Sequence, residues 1–167
     1  DFEVTESIFS YEHIDLSFSR IDTLSCVYLN GVFLGKTDNA YKEYTFSVKD
    51  ILTAGKNTLT VKFSSSLLYI KRRQKEAPLP KNPNGVNGAA YIRKPACHFG
   101  WDWGPCVPYN YVGEAVICGY NRKIRNIDIK QNTSPEMSVV KASAEDADNI
   151  YMLTPDGERI DGENGVF

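Results

Sequence analysis

Apolar and polar residues alternate with a period of two in several separate stretches of this chain. Residues 14–18, 44–48 and 59–63 each place apolar side chains at every second position, which is typical of a strand with one buried face. Asn30-Gly31 lies between two such stretches and predicts a tight hairpin turn of type I′. Residues 114–120 predict a further strand. Short connections between alternating strands indicate an all-β protein, an antiparallel β-sandwich.

One segment departs from this pattern. Ser66 is the predicted N-cap of a short helix over residues 67–76, whose basic second half we interpret as a solvated face. The Pro-, Gly- and Asn-rich residues 78–88 predict a long loop, either a functional lid or a disordered segment. Residues 1–121 are predicted to form the sandwich, with its start truncated, and residues 122–167 to begin a second, incomplete β unit that is poorly ordered near its end.

Composition excludes several classes of function. The 167 residues are 42% hydrophobic and 24% charged, with a net charge of -2, so there is no basic field for nucleic acid. No apolar run approaches the length of a membrane span. We expect neither nucleic acid nor membrane as a partner, and the cytoplasm is the favoured compartment.

Four cysteines occur without C-x-x-C spacing: Cys26, Cys97, Cys106 and Cys118. A zinc site is therefore not expected, and we predict no metal and no cofactor. A Cys97–Cys106 disulfide would need an oxidising compartment. Four free thiols are the favoured interpretation, with at least two of them buried.

The candidate chemistry lies in residues 99–105, Phe-Gly-Trp-Asp-Trp-Gly-Pro. Trp101 and Trp103 are the two tryptophans of the chain, and Asp102 lies between them. An apolar platform beside a hydrogen-bond acceptor suits a sugar ring, whose C–H face packs on an indole while its hydroxyls donate to the carboxylate. The alternative interpretation places both indoles in the core, with Asp102 capping backbone amides. His98 and Arg93 are candidate supporting residues, and Arg93 could pair with Asp102 or with Glu114.

This run, preceded by residues 91–94, resembles the N-terminal domain of family 2 glycoside hydrolases of the exo-β-mannosidase type. Residues 21–39 are similar to the strand pair "DT…VYLNG…LG…N" of the same family, and the resemblance covers about residues 1–131. It implies a jelly-roll, galactose-binding-like sandwich followed by an immunoglobulin-like domain, of which only part is present here. The sequence departs from the family pattern at Cys106, where a basic residue is usual, and at residues 110–113.

The resemblance also implies how such a domain would act. Trp101, Asp102 and Trp103 would form part of the wall that holds a terminal β-D-mannose, while both catalytic glutamates would lie on a (β/α)₈ barrel further along the protein. Retaining hydrolysis needs two carboxylates about 5–5.5 Å apart. The candidate glutamates of this chain lie on separate predicted elements: Glu43, Glu76, Glu114 and Glu136. We therefore expect no catalytic residue in this chain.

Two other classes of function stay open. The first is a stand-alone carbohydrate-binding module that uses the same Trp-Asp-Trp cluster. The second is a structural interaction domain that makes no contact with sugar.

Overall fold

The computed structural model describes residues 1–81 and 85–167. These residues form two compact units, Asp1–Tyr120 and Asn121–Phe167. Each unit is described below by itself.

The first unit is built of short strands and one α-helix. Its strands are β1 (Phe2–Val4), β2 (His13–Phe18), β3 (Ile21–Asp22), β4 (Ser25–Leu29), β5 (Val32–Thr37), β6 (Tyr44–Ser47), β7 (Gly55–Asn57), β8 (Leu59–Phe63), β9 (Phe99–Trp101), β10 (Gly104–Cys106), β11 (Tyr111–Val112) and β12 (Ala115–Tyr120). The helix α1 spans Ser66–Glu76, and short 3₁₀ turns span Glu6–Ser10, Ala89–Tyr91 and Ala96–His98.

All strand pairs of this unit are antiparallel. One three-stranded sheet has the order β12-β2-β6 and the other has the order β5-β4-β8, while β1-β7, β3-β11 and β9-β10 form smaller ladders. The predicted all-β sandwich is confirmed. The Asn30-Gly31 hairpin is confirmed as well, because both residues have positive φ, 51° and 81°.

The core fills the space between the two larger sheets. Strand β2 contributes Ile14, Leu16 and Phe18, each almost fully buried, and Val27 and Leu29 of β4 face them. The alternation within residues 14–18 therefore marks the core face, as predicted. The polar Asp15 of the same strand is buried too, and the Tyr120 hydroxyl donates a hydrogen bond of 2.8 Å to its Oδ2.

The predicted helix exists, but its N-cap is one residue earlier than expected. The side chain of Ser65 accepts a hydrogen bond from the Leu68 amide, so Ser65 is the cap and Ser66 is the first helical residue. The Ser66 hydroxyl is buried and has no hydrogen-bond partner within the described part of the chain. The predicted loop over residues 78–88 includes residues 82–84, which lie outside the described residues.

The second unit consists of two hairpins. Strand β13 (Arg125–Thr133) pairs with β14 (Ser138–Glu145), and β15 (Tyr151–Leu153) pairs with β16 (Arg159–Asp161). At the end of the chain, Phe167 exchanges two backbone hydrogen bonds with Val140, of 2.8 and 2.9 Å.

The cysteine prediction is partly wrong. All four thiols are free, but Cys97, Cys106 and Cys118 are exposed and Cys26 is only half-buried. Cys97 lies in the 3₁₀ turn before β9, Cys106 is the last residue of β10, and Cys118 lies on β12, an edge strand.

Candidate functional site

The Phe-Gly-Trp-Asp-Trp-Gly-Pro run forms a β-hairpin with a two-residue turn. Trp101 of β9 pairs with Gly104 of β10, and Asp102 and Trp103 occupy the turn. Gly100 has φ +102°, a conformation that favours glycine. Gly104 has no such requirement, since an added Cβ would meet only the Trp101 Cβ at 3.9 Å. Of the two glycines in the run, Gly100 is therefore the one with an unusual backbone.

Both indoles of the hairpin face solvent. Trp101 is 50% exposed and Trp103 is 83% exposed. Their ring centroids lie 5.6 Å apart with an angle of 52° between the planes. The alternative in which both tryptophans are core residues is therefore wrong. The hairpin presents an apolar surface that no described residue covers.

Asp102 is exposed at the hairpin tip. Within residues 1–81 and 85–167, its carboxylate makes no hydrogen bond or ion pair with any other residue. It therefore does not cap the backbone amides of the turn. A carboxylate in this position keeps its acceptor lone pairs available to an incoming hydroxyl group.

A cleft of about 270 Å³ lies beside the hairpin. Trp101 and Asp102 line one wall, Phe99 and Gly100 lie at the hairpin base, and Ala89 and Ala96 are among the other lining residues. Trp103 does not line this cleft. Trp101 and Asp102 are thus the two candidate residues that the fold brings to one concave surface.

The hairpin is anchored by Phe99. This side chain is 3% exposed and forms a small second core with Ile70 of α1 and Ile92. The Val107 amide also donates to the carbonyl of His98, at 3.0 Å. The exposed tip therefore stands on a buried base.

A buried ionic cluster lies next to that base. Lys94 Nζ donates to Asp22 Oδ1 at 2.7 Å, and the two side chains are 0% and 5% exposed. Lys94 Nζ also donates to the backbone carbonyl of Tyr109. His98 Nδ1 lies 3.6 Å from Asp22 Oδ2, which is too long for a hydrogen bond. Burial and the neighbouring Lys94 ammonium lower the pKa of His98, while the Asp22 carboxylate opposes this shift.

The two candidate supporting residues have different surroundings from those that the sequence suggested. His98 is nearly buried, and its Nδ1 has no hydrogen-bond partner in the described part of the chain. Arg93 is exposed and, among the described residues, pairs with neither Asp102 nor Glu114. Its backbone carbonyl accepts a hydrogen bond from the Ala40 amide at 2.8 Å.

Sequence reasoning missed Lys94 and Asp22. Both lie within stretches that carry the family resemblance, but neither is predicted from the sequence to be a site residue. A local signal exists for Lys94, which is two residues after the buried Ile92 and so shares its face in an extended chain, whereas Asp22 directly follows Ile21 and has no such signal.

Three larger cavities lie elsewhere in the described residues, and one of them, of about 310 Å³, is lined by Asp22, His98 and Tyr109 among others. Another of about 530 Å³ is lined mainly by apolar residues near β1, and one of about 410 Å³ lies in the second unit, again mostly apolar. The cavity near β1 is lined by Phe2 and Glu3, and the cavity at Asp22 by Tyr109 and Tyr111, so an aromatic ring beside a carboxylate is not unique to the hairpin cleft. Among the described residues there is no group of three or more side chains suited to a metal ion, and no helix is long and apolar enough to cross a membrane.

Comparison with known proteins gives consistent matches. The chain is 34% identical over 129 residues to a β-mannosidase of Capra hircus, which covers 72% of this chain and 15% of that protein. The structure matches a β-D-mannosidase from Dictyoglomus thermophilum with a TM-score of 0.73 and 31% identity, over 84% of this chain and 18% of that one.

A β-glucuronidase from Ruminococcus gnavus matches with a TM-score of 0.61 at 16% identity, over 99% of this chain and 28% of that one, and shows the shared fold alone. The chain thus spans only a small part of the length of the relatives that it matches. The family model described as "glycosyl hydrolase 2 galactose-binding domain-like" matches residues 1–112. This chain therefore belongs to the galactose-binding-like domain family of glycosyl hydrolase family 2, in agreement with its resemblance to the β-mannosidase type.

Proposed function

We propose that this chain is the non-catalytic N-terminal domain of a retaining exo-β-mannosidase that removes terminal β-D-mannose residues. In this proposal the hairpin formed by Trp101, Asp102 and Trp103 contributes to the wall of the −1 subsite. The observation that carries it is the exposed Asp102 carboxylate, unpaired among the described residues, beside two solvent-facing indoles. The β-mannosidase relatives support the substrate class.

The arrangement suits a sugar in two ways. The C–H face of a mannose ring packs on an indole, and Trp101 is the indole that adjoins the cleft. A hydroxyl of the same ring donates to Asp102 in a charge-assisted hydrogen bond worth about 1.5–3 kcal/mol. The hairpin would therefore bind and orient the sugar without taking part in bond cleavage.

The reacting groups are assigned to another part of the protein. Retention requires an acid/base carboxylate and a nucleophilic carboxylate, and the candidate glutamates of this chain are exposed on separate segments: Glu43, Glu76, Glu114 and Glu136. We assign both roles to glutamates on a (β/α)₈ barrel in the same protein, as the family resemblance implies. The proposed partners are thus a terminal β-mannoside and that barrel.

The test is the pair Asp102→Ala and Asp102→Asn in the full-length protein that carries this chain. Loss of the proposed hydrogen bond should lower kcat/KM for a terminal β-mannoside by about ten- to 150-fold in the alanine variant. The melting temperature should not change, because Asp102 is exposed. The control is Glu43→Ala, which removes another exposed carboxylate of the same unit. If Asp102→Ala retains kcat/KM within about twofold with the fold intact, the chain is instead an interaction domain without sugar contact.

Titration of the 167-residue chain with mannose separates the proposal from a stand-alone binding module. The hairpin offers only one wall of a subsite, so we expect weak or undetectable binding. A dissociation constant below about 1 mM, or about −4.1 kcal/mol, would favour the binding module instead.

A further inference from the structure

We propose that Lys94 and Asp22 are positioning residues that set the orientation of the Trp-Asp-Trp hairpin. Their ion pair would act on the sugar through the hairpin, without touching the sugar itself. This inference rests on the proposed role of Asp102 for its kinetic consequence. Its structural consequence can be measured independently of that role.

The hairpin needs such a support because its own strands provide little. Strands β9 and β10 pair with each other, and no other described strand joins their sheet. Phe99 fixes one point at the base by burial. This ring and the Val107–His98 backbone hydrogen bond hold the base of the hairpin, but neither contact lies at its two-residue tip.

The Lys94 ammonium supplies the missing constraint. It donates to Asp22 on β3 and to the carbonyl of Tyr109. Lys94 precedes β9 by five residues and Tyr109 follows β10 by three. One charged group therefore ties the incoming chain, the outgoing chain and a strand of the sandwich together at a single point.

The surroundings of Asp22 strengthen this connection. Asp22 pairs with Tyr111 in the β3–β11 ladder, so its backbone is fixed to the outgoing chain as well. Its second carboxylate oxygen faces His98, the residue directly before β9. The His98 ring packs against that of Tyr109, with centroids 4.2 Å apart. Asp22 thus faces both ends of the segment that carries the hairpin.

A buried ion pair of this kind adds little to the free energy of unfolding, but it fixes the relative orientation of the segments that it joins. Replacing both charges with uncharged groups is often neutral for stability or even favourable, whereas removing one partner leaves the other charge buried and unpaired. The double variant Asp22→Asn/Lys94→Met therefore separates the two roles. It removes both charges and the hydrogen bonds of the ammonium while keeping similar side-chain volumes.

The structural test uses ¹⁹F NMR of the 167-residue chain labelled with 5-fluorotryptophan. Trp101 and Trp103 are its two tryptophans, so both resonances report on the hairpin. We expect Lys94→Met to shift or broaden both resonances and to lower the melting temperature. The double variant should regain most of the melting temperature while its resonances stay shifted or broadened. Lys36→Met, at an exposed lysine of β5, is the control and should leave both resonances unchanged.

The kinetic test uses the full-length protein. We expect the double variant to lower kcat/KM for a terminal β-mannoside by about ten- to 100-fold, since small misplacements of a binding group have effects of this size. In an Asp102→Ala background the same double substitution should cost less than about twofold, because the group that it positions is already gone.

Two results would overturn the inference. The first is a pair of ¹⁹F resonances in the double variant identical to those of the wild type. The second is an equal loss of kcat/KM with and without Asp102. If Asp102→Ala alone has no kinetic effect, the proposed function fails, and the ¹⁹F measurement still decides whether Lys94 and Asp22 orient the hairpin.

Discussion

Phe99 offers the sharpest test of how the hairpin is built. Its ring is 3% exposed and belongs to a core of three buried residues with Ile70 and Ile92. Trp103, four residues later on the same hairpin, is 83% exposed. Truncation to alanine at these two positions removes an aromatic ring from opposite environments. The pair therefore separates the buried base from the exposed tip.

The structure sets the expected size of each effect. Truncating a buried phenylalanine to alanine costs about 3–5 kcal/mol. Phe99 also lines the open cleft, so water can enter the space that the ring leaves, and we expect the lower end, about 3 kcal/mol. The entropy of unfolding of the unit Asp1–Tyr120 is about 0.25 kcal/mol/K. The expected fall in melting temperature for Phe99→Ala is therefore about 12 °C.

The assay is thermal unfolding of the 167-residue chain, followed by circular dichroism and by calorimetry to separate the transitions of the two units. Trp103→Ala should change the melting temperature by less than about 2 °C, as is usual for an exposed side chain. Equal losses for the two variants would refute the division into a buried base and an exposed tip. So would a loss below about 1 kcal/mol for Phe99→Ala.

Two further predictions concern the helix cap and pH. Ser65→Ala should destabilise the first unit by about 1 kcal/mol because it removes the cap of α1. Ser66→Ala should be neutral or stabilising because the buried Ser66 hydroxyl has no described partner. Chemical denaturation measures both changes, and a larger loss at Ser66 would contradict the assignment of the cap. The pKa of His98 is lowered in the folded chain, so the unfolded chain binds the proton more readily. The resulting contribution to the free energy of unfolding is complete above the ordinary histidine pKa of about 6.5. It is lost as the pH falls through the lower pKa of the folded chain. His98→Gln should therefore flatten the fall in melting temperature between pH 7 and pH 5, with the same change at the exposed His13 as control; an unchanged slope would contradict it.

Local patterns were sufficient for the sandwich. The period of two in residues 14–18 depends only on which face each side chain takes, and the buried positions match it. Asp15 is an exception to this pattern, because the alternation predicts that it is exposed. Asp15 is buried, and the Tyr120 hydroxyl that donates to it lies 105 residues away in sequence, so no window along the chain contains both groups. The helix cap failed for a different reason, since Ser65 and Ser66 are equivalent in sequence and differ only in which one reaches the Leu68 amide.

The candidate site was predictable in content but not in exposure. Trp101, Asp102 and Trp103 stand out by residue type and by their flanking glycines. Tryptophan, however, is equally suited to a core, and only the fold shows that Phe99 takes the buried position in this run. The cysteine prediction failed on the same ground. Cysteine prefers the interior, so at least two of the four thiols were predicted to be buried. Three of the four are instead exposed, in a hairpin, a turn and an edge strand.

The ionic cluster shows why the two stretches that carry the family resemblance belong together. One stretch begins at Ile21-Asp22, and the other includes Lys94 and continues into the hairpin. In sequence they are 72 residues apart, and in the fold they meet as a buried contact of 2.7 Å. Loss of one partner would leave the other charge buried and unpaired, at a cost of about 3–5 kcal/mol. An acidic residue at the first position and a basic residue at the second are thus required jointly. The two signatures are separate along the chain, but each contributes one partner of the ion pair that supports the Trp-Asp-Trp hairpin.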